Sequence, residues 1–160
     1  MNVIRATSTD VSLAAPLFAA YREFYGEPYD IEAATVFLTE RLEREESIVL
    51  LVVDGDTAVG FTQIYPAFSS TRLAPIWILN DLFVSEDARG SGAVDALLDT
   101  AAKLGHEAGA IAIELATAHT NLRDSSLNHL AYRIPEYSFY QFPQICLTEL
   151  RCDLCFSNCR

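Results

Sequence analysis

Residues Ile48-Val49-Leu50-Leu51-Val52-Val53 form an unbroken β-branched and aliphatic run. Side chains alternate across a strand, so a strand with no polar position must be covered on both faces. The rest of the chain has to supply that cover. Val11, Leu13, Ala14, Leu17, Phe18 and Tyr21 recur near helical spacing after Ser8-Thr9-Asp10, which offers N-cap chemistry. Gly26 and Pro28 interrupt this helix, and a second runs from about Ile31 to Glu45 with Ala34, Phe37, Leu38 and Leu42 on one face. Val3 to Ala6 reads as a short first strand. Asp54-Gly55-Asp56 has hairpin-turn chemistry and returns the chain as a strand over Ala58 to Phe68. After a loop from Ser69 to Pro75, Ile76 to Val84 is a further strand. A helix follows over about Ala93 to Ala108, with Val94, Leu97, Leu98, Ala101 and Leu104 on one face and Gly105 and Gly109 near its end. Ala110 to Ala116 reads as a strand, Asn121 to about Tyr132 as a helix, and Phe139 to Leu147 as a last strand. The order β-α-α-β-β-β-α-β-α-β predicts an α+β (mixed α/β) sheet with helices on both faces.

At 160 residues the chain is expected to form one domain over 1–160, large enough to bury a core without staples. Its formal net charge of −11, with a single lysine, Lys103, argues against a nucleic-acid binder, which must neutralise phosphates. Acidity serves solubility and is also compatible with a cationic small substrate. No signal peptide is visible at Met1 to Ala6, and no stretch approaches the ~18 apolar residues of a membrane helix. Those two features predict a cytoplasmic protein without a membrane partner. Cys146, Cys152, Cys155 and Cys159 give residues 143–160 the character of an atypical Cys-rich tail. Only Cys152 and Cys155 have the spacing of a zinc knuckle, with no second pair, so free thiols are expected and no metal.

The chemistry concentrates between Asn80 and Ala93. Arg89-Gly90-Ser91-Gly92-Ala93 links a strand to a helix, and two glycines remove Cβ atoms where a ligand must approach the backbone. The helix behind them presents unpaired N–H groups and the positive end of its dipole, which suits a pyrophosphate. The turn is not the nucleotide-triphosphate loop, which needs Gly-Lys-Ser/Thr. Nor is it the dinucleotide fingerprint, which opens a first βαβ unit.

On these residues the chain resembles the GNAT acetyltransferase superfamily, whose Arg/Gln-x-x-Gly-x-Gly/Ala signature follows the fourth strand and binds the pyrophosphate of acetyl-CoA. Arg89 to Ala93 match its first five positions, and Val94 departs from the small sixth. The resemblance covers residues 1 to about 123 and takes in the Asp54-Gly55 hairpin, the helix ending at Gly105–Gly109, and Ala118-His119-Thr120-Asn121. It implies a largely antiparallel central sheet of six to seven strands with a splayed fourth and fifth pair. It further implies acetyl-CoA as cofactor, a small-molecule amine as acceptor and a homodimer. Backbone groups of Leu82, Phe83 and Val84 would pair with the pantetheine arm, and Asn121 would contact it. A strand-end N–H would polarise the thioester carbonyl.

Within the superfamily, Ile78-Leu79-Asn80-Asp81-Leu82-Phe83-Val84 is similar to the polyamine (diamine) acetyltransferases. Their Glu-Asp pair appears here as Asn80-Asp81. An amide takes no proton at neutral pH, so either Asp81 or another group acts through water, or Asn80 only positions the substrate. The family's general-acid tyrosine, about seven residues after the strand-end Asn, falls at Asn128; Tyr132 is one turn further on the same face. His119 is a second candidate base, while His106 sits in a helix C-terminal turn and His129 inside the next helix. Tyr25, Tyr29 and Tyr65 belong to segments that line the family's acceptor pocket, though residues of this kind are more often packing than recognition. The expectation is therefore an N-acetyltransferase for a polyamine, amino acid or aminoglycoside-like amine, with Asn80, Asp81 and Tyr132 in the chemistry. The alternative is a catalytically weak acyl-CoA-binding domain, because Asn80 and Asn128 both replace proton-handling residues.

Overall fold

A computed structural model describes residues 1–115 and the backbone of Ser138 and Phe139. The expected helix over Asn121–Tyr132, the strand beyond Phe139, and His119, Asn121, Asn128, His129, Tyr132 and the four cysteines lie outside the described residues.

The sheet runs in spatial order β1-β2-β3-β4-β5-β6. Its members are β1 (Asn2–Arg5), β2 (Ile48–Asp54), β3 (Thr57–Ser69), β4 (Ala74–Val84), β5 (Ile113–Leu115) and the two-residue β6 (Ser138–Phe139). The first four pair antiparallel, and β4–β5 and β5–β6 pair parallel. The six to seven strands expected from the family thus come down to five within residues 1–115, with β6 adding only a two-residue pairing. Among the described residues three helices cover the sheet: α1 (Val11–Phe24), α2 (Ile31–Glu43) and α3 (Ala93–Glu107).

The aliphatic run in β2 does what its pattern demands. Ile48, Leu50 and Val52 pack in one cluster with Leu97, Leu98 and Ala101 of α3, while Val49 and Leu51 pack in another with Ala14, Phe18 and Leu38 of α1 and α2. Asp30 caps α2 by accepting from the Ala33 N–H at 2.9 Å. Asp10 stands at the N-cap position of α1, as the sequence suggested, but its side chain does not cap that helix. A short 3-10 turn spans Ser8–Asp10, and the Asp10 carboxylate accepts from the N–H and hydroxyl of Thr7 at 2.9 and 2.8 Å instead of capping α1. The loop expected from Ser69 to Pro75 is also shorter, because β3 extends to Ser69 and β4 begins at Ala74.

Two irregularities shape the site end of the sheet. The β2–β3 register slips between Val52 and Val53, and the β3–β4 register slips between Gln63 and Ile64, leaving Asn80 as the extra residue of β4. Such a bulge reverses the face parity of the strand beyond it. Trp77 and Leu79 pack with α3, and after Asn80 that role passes to Leu82 and Val84. Phe83 joins the α1–α2 cluster, so Asp81, two residues before it in regular strand, is on that face too. Gly60 keeps β3 and β4 close at this end: a Cβ there would lie 2.9 Å from Val84 Cγ2 and 3.1 Å from the Phe83 carbonyl.

Candidate active site

Strand β4 ends at Val84 and the chain enters a 3-10 turn, Glu86–Ala88, before α3. Gly90 and Gly92 adopt φ of +77° and +86°, in the left-handed region that a Cβ disfavours. Gly92 is the N-cap of α3 and no side chain caps that end. Across the turn the Arg89 and Ser91 N–H groups donate back to Glu86 and Ala88 at 3.2 and 3.3 Å. The N–H groups of Gly90, Gly92, Ala93, Val94 and Asp95 have no backbone partner among the described residues. They form an array of donors at the positive end of a 15-residue helix. Arg89, Gly90, Ser91 and Gly92 are all exposed, and Arg89 makes no ion pair among the described residues. The arrangement can hold an anion.

Toward the middle of β4 the character changes. Asp81 is 7% exposed, one of four buried polar residues among those described. The Asn80 amide donates to both of its carboxylate oxygens at 3.1 Å, and the Tyr21 hydroxyl of α1 donates to it as well. Burial nevertheless dominates and pushes the Asp81 carboxyl above the ordinary carboxylate range, against the lowering effect of those donors. Tyr21 is pushed strongly upward by its own burial and by its bond to Asp81, so its phenol stays a donor. Tyr65, half-buried, is raised by burial and by the nearby Asp81 charge. Aromatic rings frame the carboxylate. Tyr21 meets Phe61 edge-on at 5.8 Å and Phe83 at 6.3 Å, and Phe18 stacks on Phe37 at 5.5 Å.

The fold therefore brings Asn80, Asp81 and the Leu82–Val84 stretch onto one strand, with Arg89 to Ala93 directly after it. Pairing with β5 is made by Trp77, Ile78 and Leu79, so among the described residues Asn80 to Val84 have a strand neighbour only in β3. The expected splay of the fourth and fifth strands would fall beyond Leu115, outside the described residues. Asn80 itself is exposed and its amide serves Asp81. Tyr25 and Tyr29 are 55% and 48% exposed; Tyr25 meets the Tyr21 ring edge-on at 5.0 Å, and Tyr65 is close enough to Asp81 to feel its charge. His106 occupies the last turn of α3, exposed. Two neighbours of Asp81 escaped the sequence reading: Tyr21, which counted only as one apolar position of a helix, and Gln63. Among the described residues, no cluster of three or more His, Cys, Asp or Glu could hold a metal ion, and no helix is long and apolar enough to cross a membrane.

A mixed sheet bulged in its fourth strand, running into a glycine turn at a helix N-terminus, is the frame of an acyl-transfer enzyme of the GNAT type. Residues 14–127 match the Acetyltransferase (GNAT) family, and the chain belongs to that family, as an N-acetyltransferase. The "Uncharacterized N-acetyltransferase YhfO" of Bacillus subtilis (strain 168) is 43% identical over 127 residues, covering 79% of this chain and 85% of that protein. A "Probable acetyltransferase" of Haemophilus influenzae (strain Rd) is 32% identical over 128 residues, covering 78% and 88%. The crystal structure of a probable acetyltransferase superposes with a TM-score of 0.73 at 35% identity, covering 89% of this chain and 98% of its own. The descriptions of these three proteins name no acceptor, and the likeness to polyamine acetyltransferases is not shown by them.

Proposed function

We propose that this chain transfers the acetyl group of acetyl-CoA to a primary amine of a small molecule, by direct attack in a ternary complex. The carrying observation is the placement, on one strand, of a buried carboxylate at a bulge and an anion cradle where the strand ends. The cradle fits the cofactor. Its free N–H groups and the Arg89 guanidinium would bind the pyrophosphate, and the left-handed glycines would let it approach the backbone. The Leu82, Phe83 and Val84 backbone, without a second strand neighbour among the described residues, would receive the pantetheine arm as an added strand.

Bound acetyl-CoA supplies the thioester carbonyl carbon and a thiolate leaving group. Asp81 would take the proton of the arriving ammonium, and its raised carboxyl is a stronger base than an ordinary aspartate. The freed amine forms the N–C bond as the C–S bond breaks. Asn80 holds the Asp81 carboxylate through its amide and handles no proton. Asn121 and Tyr132 remain the proposed arm contact and the proposed acid for the departing thiolate. A polyamine, amino acid or aminoglycoside-like acceptor fits an acidic chain with a net charge of −11.

Calorimetric titration with acetyl-CoA tests the cradle, and thiol release over a panel of those amines tests the reaction. Arg89 is the only cation between Ser85 and Thr100. Arg89→Glu should weaken acetyl-CoA binding roughly 10- to 100-fold by replacing a charge-assisted contact with repulsion. Unchanged affinity would remove the cradle from the reading.

A further inference from the structure

Gln63 is wholly buried, and half of its amide is unanswered. Its Nε2 donates to the Ser47 hydroxyl at 3.0 Å, while Oε1 finds no hydrogen-bond partner among the described residues. A buried carbonyl left unpaired costs its full desolvation, so such groups are rare and call for an explanation. The register supplies one. Gln63 lies directly across from Asp81, and Phe61 directly across from Phe83. Side chains alternate, so Gln63 and Asp81 share the face on which Phe61 and Phe83 pack toward α1. Directly opposed residues hold their Cβ atoms about 4.5–5.5 Å apart. The residue whose carbonyl lacks a donor among the described residues thus stands cross-strand from a carboxylate with acceptor capacity beyond what Asn80 and Tyr21 fill.

We propose that Gln63 and Asp81 together form the subsite for the acceptor's ammonium group, with Gln63 Oε1 taking one of its N–H donors. This rests on the acetyltransfer reading above and assigns its amine a subsite that requires a cation bearing an N–H. The aromatic rings alone would welcome any cation, quaternary ones included. The carbonyl instead demands an N–H. Gln63 is then a specificity-determining residue, and its unpaired carbonyl is the group the ammonium would satisfy.

Methylammonium and tetramethylammonium chlorides, compared at equal ionic strength by thermal melting of the wild-type chain, test this without turnover. Methylammonium at about ten times its dissociation constant should raise the midpoint by roughly 3–5 °C, and tetramethylammonium should not. In Gln63→Met, which keeps the length and removes the carbonyl, the rise should vanish while acetyl-CoA affinity stays at the wild-type value. An equal response to both cations, no response to either, or a rise that survives in Gln63→Met overturns the subsite. Should Gln63→Met fail to fold, the wild-type comparison still decides. Loss of acetyl-CoA binding alongside an intact methylammonium response would sink the acetyltransfer reading and leave the ammonium site standing.

Discussion

The two faces of the sheet share one backbone and differ in kind. Toward α3 the buried residues are aliphatic except for Trp77, packed as Ile48, Leu50, Val52, Ile64, Leu79, Leu97 and Leu98. The buried polar residue Thr62 bonds its hydroxyl to the Asp81 carbonyl at 2.8 Å. Toward α1 and α2 lie aromatic rings, a buried carboxylate and an amide oxygen with no partner among the described residues. The first face contributes stability through area removed from water. The second carries desolvated polar groups that weaken the fold and are suited to chemistry. Substitutions on the two faces should therefore act in opposite directions.

The largest effect is expected at Asp81→Asn. In the proposed reaction the variant loses its proton acceptor, and kcat/KM should fall about 10²- to 10⁴-fold. Stability should move the other way. Burial raises the Asp81 carboxyl in the folded state, so its ionisation penalises the fold. That penalty develops as pH rises from the ordinary carboxylate range through the folded value, and it is complete above it. Asn carries no such penalty. The variant should melt higher than wild type at neutral pH and alike at pH below the ordinary carboxylate range. Near-wild-type turnover at neutral pH would end the contrast between the faces.

Leu97→Ala should show the reverse. Leu97 is fully buried between α3 and the sheet, and its truncation should cost about 2–5 kcal/mol in urea unfolding. The folded protein should keep the wild-type KM for its amine. A changed acceptor KM with little loss of stability would mean that the α3 face also shapes the acceptor site.

Much of this division is written locally in the chain. The aliphatic run of β2, the apolar spacing of Leu97, Leu98 and Ala101, and the Gly90–Gly92 turn each act within a few residues of themselves, so pattern alone places them. What the pattern misses is made by distant segments meeting. The extra residue at Asn80 flips the parity of β4, and nothing in Ile78 to Val84 announces it. Tyr21 fits its helix as one more apolar position, and only the packing of α1 on the sheet turns its hydroxyl onto Asp81. Gln63 reads as a polar residue in a strand between Thr62 and Ile64, although both of its neighbours and itself are buried. Asp81 was visible as a candidate, but its burial and its partners depend on three elements far apart in sequence.

The smallest and most discriminating effect concerns Tyr21→Phe. The ring contacts with Phe18, Phe61 and Phe83 need no hydroxyl, so the stability change should stay at about 1–2 kcal/mol, that of the hydroxyl's bonds to Asp81 and Tyr25. The hydroxyl's bond to Asp81 lowers that carboxyl against the upward push of burial. Removing it should let the Asp81 value climb, and the acidic limb of the rate profile should move to higher pH. Activity should then fall several-fold on the acidic side and converge on wild type above the limb. A uniform loss at every pH would instead make Tyr21 a wall of the acceptor site. The polar face would then owe its chemistry to Asp81 and Asn80 alone.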